Sequence, residues 1–148
     1  MNYDNVIVAI DLADDCVEVV EKALQLGIDF ENMNLVYVFE PMPAPYASVI
    51  PYAPGLAATD DLDERVRSNL SDKLYAVADR FNFAHSRCRL LEGYPAKEIR
   101  AHAAESKCDL IIIGSHGRHG LGLVLGSTAN SVLHGAPCDV LAVRIGKS

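Results

Sequence analysis

The residues best placed to do chemistry are five glycines, at 114, 117, 120, 122 and 126, followed at once by Ser127 and Thr128. Glycine has no Cβ, so a backbone built from it can approach a ligand closely and can take φ above zero. Just before the first of them stands Leu110-Ile111-Ile112-Ile113, an apolar run without alternation. Such a β-branched run predicts a strand covered on both faces. After the last glycine the pattern turns helical. Strand, glycine-rich loop and helix start in succession make an anion site: the first N–H groups of a helix lack acceptors, and the helix dipole adds positive potential there. Ser127 and Thr128 can cap the helix or offer hydroxyls to a phosphate, and the two roles use the same geometry.

A second polar group, Asp11, ends another wholly apolar run, residues 6–10. Aspartate also ends strands and starts helices for purely local reasons, so its type alone leaves a turn or a ligand role open. Other motifs carry less. His116 and His119 have HxxH spacing but no third metal ligand nearby. Ser115-His116 lies in IGSHG, where a nucleophile elbow needs glycine in place of Ile113, and adjacent residues are poorly disposed as nucleophile and base. Gly120, Gly122 and Gly126 are spaced GxGxxxG and do not directly follow a strand. The terminal Gly146-Lys147-Ser148 has Leu141 where a P-loop needs glycine, and no helix can follow it. Both are chance matches. No ionisable cluster reads as an acid–base pair, which argues against a dedicated hydrolase.

The elements that must position these residues alternate. Strands are predicted at 6–10, 35–39, 87–91, 109–113 and 140–145, from their apolar or β-branched runs. Between them lie helical patterns. The first has Asp14 or Asp15 as cap and ends near Gly27. The second is capped by Thr59, with Asp60, Asp61, Asp63 and Glu64 in its first turn and a stripe of Leu62, Val66, Leu70, Leu74, Val77 and Phe81. The third starts at Pro95, and the fourth spans 127–134 and is closed by Gly135 and Pro137. The strand at 87–91 alternates and so belongs near an edge. The acid run reads as a solvated helix face. Residues 40–58 hold five of the seven prolines together with Tyr46 and Tyr52, a loop that serves as a lid or is a mobile insert. The alternation predicts an α/β fold, a parallel sheet with helices on both faces and right-handed crossovers. Ligands bind such sheets outside the carboxyl ends of the strands, where the winding reverses. If the first and fourth strands are neighbours, Asp11 faces the glycine loop across that crevice.

The 148 residues suit a single domain, 1–148. The net charge of −7 disfavours nucleic acid. Residues 1–74 carry 14 acids against 4 bases and residues 75–148 carry 6 against 9, so the glycine loop lies in the less acidic half. No apolar stretch reaches membrane-spanning length and the start, MNYDN, is not a signal pattern, so the expectation is a soluble, cytoplasmic protein without membrane insertion. Cysteines at 16, 88, 108 and 138 have no CxxC spacing and read as reduced, partly buried thiols. The apolar strand at 140–145 reads as a sheet edge that a second copy would cover by antiparallel pairing.

Ile111-Ile112-Ile113-Gly114-Ser115-His116-Gly117, then Leu125-Gly126-Ser127-Thr128 and Ala136-Pro137-Cys138-Asp139-Val140-Leu141-Ala142-Val143, together with Val6-Ile7-Val8-Ala9-Ile10-Asp11, resemble the universal stress protein family over essentially the whole chain. The resemblance implies a Rossmann-like five-stranded parallel sheet of order 3-2-1-4-5 and a homodimer through the last strand. It also implies the ATP-binding branch, whose motif Gly-x2-Gly-x9-Gly-Ser/Thr is matched by Gly114, Gly117 and Gly126-Ser127, with a long gap of eight residues here. Carried over by position, Gly114, Gly117, Gly126, Ser127 and Thr128 would contact phosphates. Asp11 would approach the ribose or a phosphate-bound Mg²⁺. Ala9 and Ile10 would line the nucleotide, Val38 would meet the adenine through its backbone, and Ile113 would close the floor. The expected function is regulatory: ATP orders the loops and changes a dimer surface that an unidentified protein partner reads. The alternatives are a slow Mg-dependent ATPase or nucleotidyl-transferring enzyme, and a dimeric interaction module without nucleotide, which the short gap favours.

Overall fold

The computed structural model describes residues 2–13, 15–41, 59–115 and 125–146. In chain order these form β1 (Val6–Ile10), α1 (Cys16–Gln25), β2 (Met33–Phe39), α2 (Thr59–Arg80), β3 (Cys88–Glu92), α3 (Pro95–Glu105), β4 (Leu110–Gly114), α4 (Ser127–Gly135) and β5 (Asp139–Val143). All strand pairs are parallel, in the order β3-β2-β1-β4-β5. This is the Rossmann-like order that the resemblance implied.

Period-two alternation along strands without a polar face sends successive apolar side chains into two separate layers. Val6, Val8, Ile10, Leu35, Leu110, Ile112 and Val143 pack with Cys16, Val19, Val20 and Ala23 of α1 and with Leu74 and Ala78 of α2. Ile7, Ala9, Val36, Val38, Ile111 and Ile113 pack with Ile99 and Ala103 of α3 and with Ala129 and Val132 of α4. Ile7, Ile111 and Ile112 are at most 1% exposed. Side chains buried so fully contribute about 1.5–3 kcal/mol each, so the sheet centre supplies much of the stability. The edges differ: Arg89 and Glu92 of β3 are exposed, whereas β5 exposes Ala142 and half-buries Val140 and Leu141.

The amino ends of β1 and β4 are fastened by Asp109. Its Oδ2 accepts the Asp4 N–H at 2.8 Å, its carboxylate accepts the Asn5 N–H at 3.2 and 3.3 Å, and its own N–H donates to the Asn5 carbonyl at 2.9 Å. The Asn5 amide donates to the Ser106 carbonyl at 2.5 Å. Asp109, expected to be the first residue of its strand, is thus the clamp just before it.

Other boundaries also move. β2 begins at Met33, two residues early, because Asn34 pairs within the ladder opposite Ile7. β3 includes Glu92, which pairs opposite Phe39, and begins after Arg87. β4 includes Gly114, and β5 ends at Val143, so Arg144 and Ile145 leave the ladder. Asp15 is the N-cap of α1 but makes no capping bond with its side chain, and Asp14 lies outside the described residues. Thr59 is the first residue of α2 rather than its cap. Of the loop 40–58, residues 42–58 lie outside the described residues, as do the side chains of Asp60, Asp61, Leu62 and Asp63. The rest of the α2 stripe grades inward: Val66, Leu70, Val77 and Phe81 are half-buried and Leu74 is 1% exposed, joined by Ala78. Among the described residues no helix is long and apolar enough to cross a membrane.

Two predictions follow from these contacts. Asp109→Ala removes an acceptor from two backbone donors and should lower stability by about 1–3 kcal/mol, read from the urea midpoint at unchanged slope. His102 on α3 is half-buried, and burial, then the Arg89 charge, lower its imidazole pKa from the ordinary 6.5. The unfolded chain therefore takes up this proton first, so stability is full above pH 6.5 and falls as pH drops below it. His102→Gln should flatten that decline in a series of urea melts between neutral and mildly acidic pH; an unchanged slope would refute the assignment.

Candidate functional site

The winding reverses between β1 and β4. The chain leaves β1 into α1 on one face of the sheet and leaves β4 toward α4 on the other. The gap between the two carboxyl ends is where parallel α/β sheets hold ligands.

The apolar floor of this gap is continuous across three strands. Ala9 and Ile113 are register partners, and Val38 joins them on the α3/α4 face. They are 5%, 6% and 7% exposed, whereas Ile7 and Ile111 deeper in the same strands are 1% and 0%. The floor therefore opens slightly at its carboxyl end. Ile10 differs from the other floor residues: its side chain belongs to the α1/α2 layer, so only its backbone can serve the same side as Ala9. Asp11 follows at the rim, half-buried, and its Oδ1 accepts the Ala13 N–H at 3.0 Å. This local turn, with Leu12 at φ 60, holds the carboxylate at the strand end. Asp15 adds a buried Oδ1 that has no partner among the described residues.

Ser115 builds the other wall. It is buried, its N–H donates to the Val143 carbonyl at 2.7 Å, and its carbonyl accepts the Gly126 N–H at 2.6 Å. Its Oγ accepts the Ile145 N–H at 3.4 Å. The two ends of the glycine loop are thereby bonded to each other and to the end of β5. Sequence reasoning weighed Ser115 only as a nucleophile. Its structural signal is that a small polar residue follows directly on a fully apolar strand.

Gly126 is the N-cap of α4, at φ −60 and ψ 158, and its carbonyl accepts the Asn130 N–H at 2.9 Å. Ser127 and Thr128 are therefore helical residues, and Ser127 is not the cap. A glycine cap has no side chain to satisfy the donors behind it, so the N–H groups of Ser127, Thr128 and Ala129 head the helix without an intrahelical acceptor. Three donors with no backbone acceptor among the described residues, the positive end of the dipole and the Ser127 hydroxyl, which is exposed, suit a phosphate or another small anion. Gly117 lies outside the described residues, as do His116, Arg118, His119, Gly120 and Gly122. Among the described residues no group of three metal-ligating side chains occurs. His134 donates through Nδ1 to the Asn130 carbonyl, 2.8 Å away, one turn back on α4.

Gly114 has a reason of its own to be glycine. A Cβ there would overlap Cδ1 of Ile145 and come within 3.3 Å of Cγ2 of Val19. The segment after β5 crosses the end of β4 at this point, and Gly146 donates onward to Oε2 of Glu18 at 3.3 Å.

The profile of the universal stress protein family matches residues 2–144. Universal stress protein A homolog 2 of Coxiella burnetii is 37% identical over 147 residues, covering 97% of both chains, and homolog 1 of the same organism is 31% identical over 144 residues with the same coverage. Among solved structures, hypothetical protein MJ0577 superposes with a TM-score of 0.76 at 19% identity over 100% of both chains. A universal stress protein in complex with cAMP superposes with a TM-score of 0.60 at 24% identity, over 97% of this chain and 98% of its own.

The Gly114 contact yields a prediction. Gly114→Ala should lower stability by about 1–2 kcal/mol, because Ile145 must leave its position. In an Ile145→Ala background the same change should cost under about half as much, which a double-mutant cycle of denaturation midpoints reads directly. Equal costs in the two backgrounds would show that Ile145 is not the constraint.

Proposed function

The chain belongs to the universal stress protein family, a family of the stress response, and from that premise we propose that it binds an adenine nucleotide, ATP with Mg²⁺, in the β1/β4 crevice and acts as a regulatory homodimer. The observation that carries this reading is the glycine-capped start of α4, whose first backbone donors have no backbone acceptor among the described residues. The cAMP complex of a structural relative supports an adenine nucleotide as the ligand class.

In this reading Gly114, Gly117, Gly126, Ser127 and Thr128 hold the phosphates, through backbone N–H groups and two hydroxyls. Ala9, Val38 and Ile113 form the apolar surface under the base and ribose, with Val38 also offering backbone groups to the adenine and Ile10 contributing through its backbone. Asp11 stands at the strand end, where a carboxylate can accept from a ribose hydroxyl or face a phosphate-bound Mg²⁺. The ion would offset the phosphate charge beside that carboxylate. Among the described residues no acid–base pair stands with these, and in this reading the ligand acts by occupancy: it orders the loop 115–126, and with it 40–58, and alters a surface that a protein partner reads. The dimer would form through residues 140–145, where the half-buried Val140 and Leu141 and the exposed Ala142 leave an apolar edge.

Calorimetry of the stripped protein with Mg-ATP tests the site. Gly126→Asp keeps the helix start, because φ −60 and ψ 158 suit any residue and aspartate is a favoured cap. Its carboxylate would occupy the donors and repel phosphate, so affinity should fall at least about 100-fold, or 2.7 kcal/mol. Absence of binding to the wild type would end the nucleotide reading. Asp11→Ala separates regulation from slow hydrolysis: turnover that disappears while binding persists would favour an ATPase.

A further inference from the structure

Two of the four cysteines lie together, away from the crevice. Cys108 precedes β4 and Cys138 precedes β5, with sulfurs 3.9 Å apart. The register pairs Leu110 with Asp139, so the two segments run side by side at strand spacing. Both side chains face the α3/α4 layer; Cys108 is 7% exposed and Cys138 is half-buried. A disulfide needs a separation of about 2.05 Å, so the sulfurs have less than 2 Å to close, a movement on the scale of side-chain rotation. We propose that Cys108 and Cys138 form an oxidisable thiol pair, a modification site at which a peroxide installs an intramolecular disulfide.

The chemistry balances in two steps. Cys138, the more accessible sulfur, attacks the peroxide as its thiolate. An S–O bond forms, the O–O bond breaks, and hydroxide leaves to take up the thiol proton as water. Cys108 then loses its proton as its sulfur attacks that of Cys138; the S–S bond forms, the S–O bond breaks, and a second water leaves. Two thiols have lost two electrons and two protons, and one hydrogen peroxide has become two waters.

The surroundings set the rate. Burial pushes the Cys108 thiol up to about 12 and also raises that of Cys138. Thiolate is therefore scarce at neutral pH, and the pair answers sustained or concentrated oxidant rather than turning peroxide over as a catalyst. Cys16 and Cys88 are buried in the opposite layer, with α1 and α2. The ring that the bond would close spans a sequence separation of 30 and contains all of β4, the glycine loop and α4. Oxidation would thus tether the ends of the unit that carries the crevice wall and restrict its unfolded ensemble.

Peptide mapping tests this on the folded protein. After treatment with hydrogen peroxide, denaturation and alkylation, two of the four thiols should be protected and the mass should fall by two hydrogens. Trypsin separates the two cysteines at Arg118, so a cross-linked peptide joining residues 108–118 to 119–144 identifies the bond. Dithiothreitol should restore all thiols, and the rate should rise from pH 7 to pH 9. The oxidised protein should melt about 5–10 °C higher. In Cys138→Ser, Cys108 should stay available to alkylation. Separate peptides after prolonged oxidation, or cross-links joining two copies, would overturn the proposal. A bond that forms but leaves the melting temperature unchanged or lower would overturn the tethering role.

Discussion

The parallel pairing of β1 with β4 is the contact on which the crevice and both helical layers depend. Asp4 and Asp109, which meet at its amino end, are 105 residues apart in sequence. Both strands are apolar on both faces, so their pairing requires a helical layer on each side. Their register decides which side chains go where: Ala9 stands beside Ile113, and both face α3 and α4. A slip of one residue would exchange the faces of an entire strand. The Asp109 clamp holds the ladder at its amino end, and Ser115 joins the chain beyond β4 to β5 and α4 at the other. The crevice lies between two ends that are separately fastened.

The glycines around it are alike in type and different in cause. Gly114 is small because Ile145 and Val19 occupy the space a side chain would need. Gly126 has an ordinary extended backbone and matters for what it lacks, a side-chain acceptor that would satisfy the first donors of α4. One glycine thus serves packing and the other leaves the first donors of the helix without a side-chain cap. The proposed phosphate site uses this division, since a wall that is held by Ser115 and Ile145 does not have to be assembled by the ligand itself. Preorganised donors lose little freedom on binding.

The two edges of the sheet have opposite characters. At β3, Arg89 and Glu92 are exposed and Glu92 pairs with Arg67 of α2, so charge blunts the edge. At β5 the apolar residues are only partly covered, and the same strand meets Ser115 through Val143. Ser115 thus joins both ends of the glycine loop to that edge by two backbone hydrogen bonds.

Much of the architecture was legible in the chain. The five strand segments, the helical starts at Pro95 and at 127 and the edge position of β3 followed from periodicity, β-branching and proline. The strand order came through the resemblance carried by residues 6–11 and 111–143. Boundaries slipped where a polar residue enters a ladder, as Asn34 and Glu92 do, because pairing depends on the neighbouring strand and not on the residue's own hydropathy. The site was legible as a pattern, a strand followed by glycines and a helix start. Its internal logic was not: Ser115 reads as a stray polar residue, Ile10 as a lining residue, and Cys108 and Cys138 as unrelated thiols. By itself the sequence determined which segments become strands and helices, since local periodicity and burial demand act within a few residues. Only the tertiary structure decided which of them touch, because the contacts of Asp109, Ser115, Gly114 and the two thiols join residues far apart in the chain, and those distances exist only once the sheet has closed.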